Sequence, residues 1–437
     1  MNALQKYQNK NIAIYGLGIT GISAARALKK LKARIFCWDD NKNTRKKVKN
    51  LKINKFWLSK NLIDNIVISP GIDINKCKIK NYLKKNSKKI ITDLDLFFEL
   101  NKNALIISIT GTNGKSTTCK IIEKILRTAG YNAITVGNIG NPILSFKKNK
   151  KKTFFILEVS SYQLQYSRLF RSKHAAILNI SPDHLERHKN ISNYTEIKSK
   201  IFFAQNNKDY SYINSSNSYS RTIKNIFKLN KLKSKLISVN KESCEFLLKK
   251  INNNYFKSKG NIENLAFAYK IIKKFKINDK VVLKALTKFN GLPHRQELVF
   301  NSNKFICVND SKATSFEASL QSLSNYKRIY WILGGLPKKN DRFHLKDVSK
   351  NVVKAYVIGK KTNFFVKNIK NHIPYKKSYN IKTAISDILK DVRKIKDTKF
   401  TVLLSPAAAS YDQFKNFEDR GNYFKKIVKR ILTKPNV

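Results

Sequence analysis

Long apolar runs are missing from this sequence. No stretch approaches the roughly eighteen consecutive apolar residues that a membrane-spanning helix needs, so neither a membrane span nor a membrane partner is expected. The first ten residues, Met1 to Lys10, hold no apolar signal core and lead straight into a strand. The protein is therefore expected in the cytoplasm. Cysteine is sparse: Cys37, Cys77, Cys119, Cys244 and Cys307 stand far apart, an odd number with no C-x-x-C pair. That spacing excludes a disulfide framework and a zinc site and leaves small core residues in a reducing compartment.

Acidic residues are also few, 28 against 88 lysines and arginines, for a formal net charge of +60. Such a balance invites a nucleic-acid partner. The lysines are spread almost everywhere, however, among abundant asparagine and isoleucine, which marks drift toward A/T-rich codons rather than a designed patch. The densest run, Lys147-Lys148-Asn149-Lys150-Lys151-Lys152, reads as a solvated loop between apolar segments. No aromatic-basic motif accompanies the charge. Non-specific association with polyanions at low salt is expected, and no specific nucleic acid.

What is present is organised around one turn. The apolar run Ala104 to Ile107 reads as a buried strand, and Cys119 to Leu126 carries apolar residues at helical spacing. Between them lies Ile109-Thr110-Gly111-Thr112-Asn113-Gly114-Lys115-Ser116-Thr117-Thr118. Glycines let the backbone approach a phosphate, and a helix N-terminus offers unpaired N–H groups. Lys115 adds a full charge, and the Ser116 hydroxyl suits Mg²⁺. The P-loop pattern is shortened, because isoleucine stands at 109 where its first glycine belongs. A nucleoside triphosphate site is the expectation, against a plain glycine-rich turn with a solvated lysine.

The 437 residues, with an ordinary 42% hydrophobic content, suit two or three domains. Strand, turn and helix alternate throughout, so the expected class is α/β. The first domain, 1–92, is Rossmann-like. Its strand Asn11–Tyr15 enters the G-x-G-x-x-G turn Gly16 to Gly21 and an alanine-rich helix through Leu31, and the next strand, Arg34–Trp38, ends in Asp39-Asp40. By itself this reads either as a dinucleotide site of the NAD type or as a tight turn without ligand. A third strand, Ile66–Ile68, ends in Ser69-Pro70-Gly71.

The central domain, 93–293, is P-loop ATPase-like. Strand Ala133–Val136 runs into Gly137-Asn138-Ile139-Gly140, and strand Phe154–Leu157 ends at Glu158, a carboxylate placed either for Mg²⁺ or as a solvated strand end. Strand Ala175–Ile180 ends in Ser181-Pro182-Asp183-His184, where the histidine is a ligand, a substrate contact or merely structural. From Tyr194 a helix carries Lys198 and Lys200, by themselves a solvated face. Residues 211–259 carry short strands and no assigned chemistry. Gly260 to Asn264 opens a helix over Leu265–Phe275, and Gly291-Leu292-Pro293-His294-Arg295 marks a boundary. The third domain, 294–437, is again Rossmann-like. Its strands Phe305–Val308, Ile329–Leu333 and Thr401–Leu404 end in Asn309 to Thr314, Gly334 to Lys338 and Ser405 to Ser410. Polar groups at three strand ends point to a ligand site.

In that order the Gly111–Thr117 turn, Leu157 to Gln163, Gly291 to Arg295 and Asn309 to Thr314 resemble the Mur ligases, ATP-dependent acid–amino-acid ligases of peptidoglycan synthesis. The run Leu404 to Gly421 is similar to that of the D-glutamate-adding branch. The resemblance spans the whole chain. It implies that the first glycine turn binds UDP rather than NAD, with Gly18, Ile19, Thr20, Asp39, Ser69 and Gly71 as contacts. Asn138 and Gln163 would meet the muramoyl-alanine end of UDP-N-acetylmuramoyl-L-alanine. ATP would be held by Gly111, Thr112, Asn113, Gly114, Lys115, Ser116, Thr117, Asn264, Arg295, Asp310 and Lys312.

The same resemblance implies two Mg²⁺ ions, with Ser116, Glu158, His184 and Lys198 as ligands. Lys198 aligns with a lysine carbamylated by CO₂. D-glutamate would meet His184, Thr314, Lys338, Ser410 and Phe417, with Lys338 pairing a carboxylate. Lys115, Glu158, His184 and Lys198 form the implied catalytic set, and a monomer is expected. The chain departs from the family pattern at Gly260, Leu336, Lys339 and Ala408, which bear on the adenine and D-glutamate contacts. Rival readings are a nucleotide-dependent dehydrogenase, a basic nucleic-acid-binding ATPase, and a sister ligase adding another amino acid.

Overall fold

The structure, a computed structural model, describes residues 3–48, 50–58, 62–137, 142–145, 153–338, 341, 343–392 and 399–432. Asn138, Lys339 and the lysine run 147–152 lie outside the described residues. The chain divides into two compact units, Met1–Phe289 and Asn290–Val437.

The first unit holds two sheets. Strands β1 (Asn11–Tyr15), β2 (Arg34–Trp38), β3 (Asn65–Ile68) and β4 (Ile90–Ile91) pair in parallel in the order β2-β1-β3-β4. The second sheet comprises β5 (Leu105–Thr110), β6 (Ala133–Gly137), β7 (Phe154–Glu158), β8 (His174–Ile177), β9 (Tyr210–Asn214) and β10 (Lys235–Val239). Its order is β10-β9-β8-β5-β7-β6, all parallel. Parallel strands need helical crossovers on both faces, so both faces are dry and the strands read as near-continuous apolar runs. Strand β5, with five of its six residues buried, is such a run. It sits between β7 and β8, where the chain crosses from one half of the sheet to the other, and ligands of open α/β sheets gather at that crevice.

The second unit contains β11 (Glu297–Asn301), β12 (Phe305–Asn309), β13 (Ile329–Gly334), β14 (Val352–Ile358), β15 (Tyr375–Tyr379) and β16 (Phe400–Leu404), ordered β11-β12-β16-β13-β14-β15. Only β11 runs antiparallel. Trp331, at the middle of β13, is fully buried, and its indole N–H donates to the Ser405 carbonyl at 2.7 Å.

Several elements differ from the sequence reading. Strand β5 continues through Ile109 and Thr110, because β7 and β8 flank it to its end. Strand β8 stops at Ile177: the chain then leaves the ladder so that Asn179 can bond the glycine turn. Residues 211–259 hold two short strands, most of β9 and all of β10, and also the helices Ser220–Leu229 and Glu245–Lys250, which the sequence reading did not name. The helix expected from Tyr194 begins at Ile191, capped by Asn190, and ends at Ser199 before Lys200.

Between the two sheets of the first unit runs the helix Asp93–Leu100, started by a capping box in which Thr92 and Asp95 bond each other. The second oxygen of Asp95 accepts from Ser167 Oγ at 2.7 Å and from the N–H groups of Arg168, Leu169 and Phe170 at 3.1, 2.8 and 3.0 Å. One buried carboxylate thus pins a loop some seventy residues away. Removing it strands several buried donors, each costing about 1–3 kcal/mol when unpaired. Asp95→Ala is expected to lower stability by at least about 3 kcal/mol in urea unfolding; a loss below about 1 kcal/mol would contradict this account.

Candidate active site

The glycine turn leaves the C-terminal end of β5 and becomes the helix Lys115–Thr128. Gly114, its cap residue, has φ +82°, and a Cβ there would lie 2.1 Å from Asn264 Oδ1. Asn264 Oδ1 also accepts from Thr118 Oγ1 at 3.2 Å, so the helix Lys259–Ile272 brings this asparagine to the turn across 146 residues of sequence. The turn is fixed from β8's side as well. Thr112 N–H donates to the Asn179 carbonyl at 3.0 Å, and Asn113 N–H to Asn179 Oδ1 at 2.9 Å.

Two ammonium groups converge on one carbonyl. Lys115 Nζ donates to Gly111 O at 2.8 Å and Thr112 O at 2.7 Å. Lys198 Nζ donates to the same Gly111 O at 2.9 Å and to Thr110 Oγ1 at 3.2 Å. The solvated face expected of Lys198 is thus corrected: the side chain is 2% exposed, because its helix turns it under the glycine turn. Among the described residues it pairs with no carboxylate. Burial drives its pKa well below the usual lysine range, and the Lys115 charge pushes the same way; Asp183 and Glu158 oppose more weakly. Lys200 is half-buried and donates to the Gln165 carbonyl.

Glu158 is no solvated strand end. It is 3% exposed at the end of β7 and accepts from Ser116 Oγ at 2.6 Å. A hydroxyl and a carboxylate at the start of the phosphate-turn helix are hard oxygen donors, and this pair fits Mg²⁺ with phosphate oxygens and water completing its shell. His184, with φ +54°, precedes the short helix Leu185–His188. Its Nδ1 lies 3.2 Å from Tyr162 Oη, and its Nε2 lies 3.5 Å from Asp183 Oδ2. Sequence reasoning missed Tyr162, Asp183 and Tyr194 as neighbours of this cluster. Tyr194 faces Lys198 Nζ at 4.8 Å from its ring centre, and their four-residue spacing on one helix was the available signal.

A cleft of about 290 Å³ opens beside the first sheet, lined by Gly18, Ile19, Thr20, Asp39, Ser69, Gly71 and Gln163, together with Gly16, Gly137 and Ser160. Every UDP-substrate residue named from sequence is here except Asn138. The helix Ile19–Lys30 begins at this cleft with no side chain capping it, leaving N–H groups for an anion. Gly21 must be glycine, since a Cβ would come within 1.9 Å of the Gly16 carbonyl. Both Asp39 oxygens accept backbone N–H groups, from Leu17 at 2.7 Å and Asn41 at 2.8 Å. The carboxylate holds the glycine turn as well as facing the cleft.

In the second unit, the ends of β12, β13 and β16 carry the remaining candidates. Asp310 is buried, bonded by Ser405 Oγ at 3.0 Å and Gln296 N at 3.2 Å, and burial raises its pKa to about 7. Lys312 Nζ lies 3.7 Å from the centre of the Phe417 ring. Arg420 ties these loops together, donating to Ser311 Oγ at 3.0 Å, Ser311 O at 2.9 Å and Ala408 O at 2.9 Å. A bridge between Leu336 and Ala409 sets the β13 loop against the β16 loop. Thr314 is half-buried, Ser410 buried and Lys338 exposed. Arg295 is half-buried and belongs to this unit with Asp310 and Lys312, while Asn264 belongs to the first. Of the departures, Gly260 lies in the first turn after the cap Ser258, and Leu336 and Ala408 are taken up in these loop contacts.

Gly114→Ala joins backbone strain to a collision with Asn264. It is expected to weaken ATP binding at least about tenfold in equilibrium dialysis; unchanged affinity would separate this turn from the nucleotide.

Residues 109–284 match the Mur ligase middle domain, and residues 10–91 match the MurD-like N-terminal domain of Mur ligases. The chain is 35% identical to the UDP-N-acetylmuramoylalanine–D-glutamate ligase of Rickettsia felis, over 98% of each chain. It is 31% identical to the enzyme of the same name from a Caulobacter species, again over 98% of each. Among solved structures, E. coli FolC with ADP bound aligns at TM-score 0.57, with 14% identity, 80% of this chain and 94% of that one. UDP-N-acetylmuramate–alanine ligase MurC of Thermotoga maritima aligns at 0.52, with 13% identity, 96% and 99%. These two likenesses concern the fold. The sequence identities across the full length decide the family: the chain belongs to the UDP-N-acetylmuramoylalanine–D-glutamate ligases of the Mur ligase family.

Proposed function

We propose that this chain is an ATP-dependent ligase that joins D-glutamate to UDP-N-acetylmuramoyl-L-alanine through an acyl phosphate, in peptidoglycan precursor synthesis. One observation carries the reading: the buried Ser116–Glu158 pair, 2.6 Å apart, adjoins a glycine turn on which Lys115 and Lys198 converge. A carboxylate does not react with an amine near neutral pH, because its leaving group is poor. The alanyl carboxylate therefore attacks the γ-phosphorus of ATP, the bond to ADP breaks, and an acyl phosphate forms. The amine of D-glutamate, having lost a proton, attacks the acyl carbon, and orthophosphate leaves.

The resemblance and the positions described above support these roles. Lys115 swings from its own turn to the phosphates and offsets charge developing on the transferred group. Ser116 and Glu158 would hold Mg²⁺, which would supply further positive charge against the phosphoryl oxygens. Lys198, whose pKa burial drives well below the usual lysine range, adds to CO₂ through its unprotonated amine: a C–N bond forms, a proton leaves, and an anionic carbamate results. With His184 that carbamate suits a second Mg²⁺. The cleft at Gly18 to Thr20, Asp39, Ser69 and Gly71 takes UDP, with Gln163 and Asn138 toward the muramoyl-alanine end. Asn264, Arg295, Asp310 and Lys312 serve ATP. Thr314, Lys338, Ser410 and Phe417 receive D-glutamate.

The same reading sets domain limits at 92/93 and 293/294 and makes the protein a cytoplasmic monomer. All five cysteines are free, and among the described residues no helix is long and apolar enough to cross a membrane.

The decisive assay is orthophosphate release by the full chain with ATP, Mg²⁺, UDP-N-acetylmuramoyl-L-alanine and D-glutamate. Lys198→Ala is expected to reduce turnover by at least about a hundredfold, since it removes an anionic metal ligand, and bicarbonate is not expected to restore it. Near-wild-type turnover in that variant would remove the carbamate from the mechanism.

A further inference from the structure

Among the buried carboxylates of the described residues that the mechanism leaves unused, Asp93 is the one with an unpartnered oxygen. Asp93, the first residue of the helix Asp93–Leu100, is 2% exposed and among the described residues has no cation as a partner. Its Oδ2 accepts from Gln163 Nε2 at 3.0 Å, and its Oδ1 has no hydrogen-bond partner. Buried carboxylates are normally fully satisfied, so this one asks for an explanation. Burial raises its pKa to about 6, which leaves it ionised, and so an acceptor only, above neutral pH.

Gln163 and Ser160 both line the UDP-substrate cleft. Gln163 Oε1 accepts from Ser160 N–H and from Ser160 Oγ, each at 3.1 Å. Both of its lone pairs are used, and one of its two N–H bonds goes to Asp93. Turning the amide over would set its carbonyl against the Asp93 carboxylate and its NH₂ against the Ser160 N–H. Only one orientation is satisfied. The single group left over is one N–H.

We propose that Asp93 is a positioning residue for the UDP-sugar substrate: by fixing Gln163 it offers the cleft one amide N–H, matched to an acceptor oxygen, carbonyl or phosphate, of the ligand. This rests on the reading of the cleft as the UDP-substrate site. Asp93 acts through Gln163 and touches no substrate. It also stands where the chain passes from β4 to the second sheet, so the polarity of the cleft is set from the connection between the two sheets.

The test is steady-state kinetics of the full chain at pH 8 with Asp93→Ala, Asp93→Asn, Gln163→Ala and Asp93→Ala/Gln163→Ala. Asp93→Ala is expected to raise KM for UDP-N-acetylmuramoyl-L-alanine about tenfold, the worth of one good hydrogen bond. KM for ATP and for D-glutamate should stay within about twofold. Asp93→Asn, which keeps an acceptor, should recover most of the loss, and the double variant should match Gln163→Ala alone. An unchanged KM in Asp93→Ala, or losses that multiply in the double variant, would overturn the proposal.

If Asp93→Ala does not fold, Gln163→Glu carries the test, since it keeps an acceptor for Ser160 but has no N–H. It should raise the same KM to the Gln163→Ala level, and adding Asp93→Asn should return lost melting temperature without restoring KM. An unchanged KM in Gln163→Glu would equally overturn the proposal. Absence of turnover with D-glutamate in the unmutated chain would strike the functional reading instead; calorimetric binding of UDP-N-acetylmuramoyl-L-alanine to the same variants would then decide the role of Asp93.

Discussion

The carbonyl oxygen of Gly111 receives two ammonium groups, those of Lys115 and Lys198, and the first unit is arranged so that it can. Burying a lysine with no carboxylate paired to it is costly, and burial accordingly drives its pKa well below the usual lysine range. That cost is tolerated because β5, flanked by β7 and β8, is held rigid to its last residue. The glycine turn therefore starts from a fixed point, and the ends of the neighbouring strands deliver Glu158, Asn179 and Asp183 around it. A single backbone carbonyl thus ties the glycine turn that opens the helix Lys115–Thr128 to Lys198 on the helix Ile191–Ser199.

How much of this was legible follows from how local each signal is. Strands β1 and β2 and the start of β12 appear in the sequence at their observed positions because apolar runs bounded by glycine or acidic turns are local. The glycine turns were legible for the same reason. The burial of Lys198 was not: periodicity gives the face of a helix but not what covers it, and the cover here is a loop some ninety residues upstream. The Asn264 contact with the turn likewise spans 146 residues, and the resemblance to a family named it where spacing alone did not. The edge strand β15 carries exposed lysines and tyrosines, so its alternation is blurred.

Asp39 shows a different limit. Its distance from the glycines suggested a ribose contact, yet both of its oxygens are engaged by backbone N–H groups. Asp39 does line the cleft. What the sequence cannot separate is a carboxylate that meets the ligand from one that holds the loop which meets it. Asp93 and Gln163 pose the same problem seventy residues apart.

The extreme basic composition looks, on the surface, like noise. Inside the protein it is not. The sequence has 28 acidic and 88 basic side chains; among the described residues seven acids are buried, namely Asp93, Asp95, Glu123, Glu158, Asp209, Asp310 and Asp387, against two bases, Lys198 and Arg420. A buried carboxylate survives only where donors meet it, and these are met by capping threonine, by serines, by backbone N–H groups or by an arginine fork such as Arg171 on Asp209. Added lysines on a solvated surface cost little, because exposed charges are screened. The same substitution at an interior position would leave a charge without partners. Composition was therefore free to shift outside while the interior kept its few acids, and in so basic a chain each interior carboxylate marks a loop, a cap or a site that the fold requires.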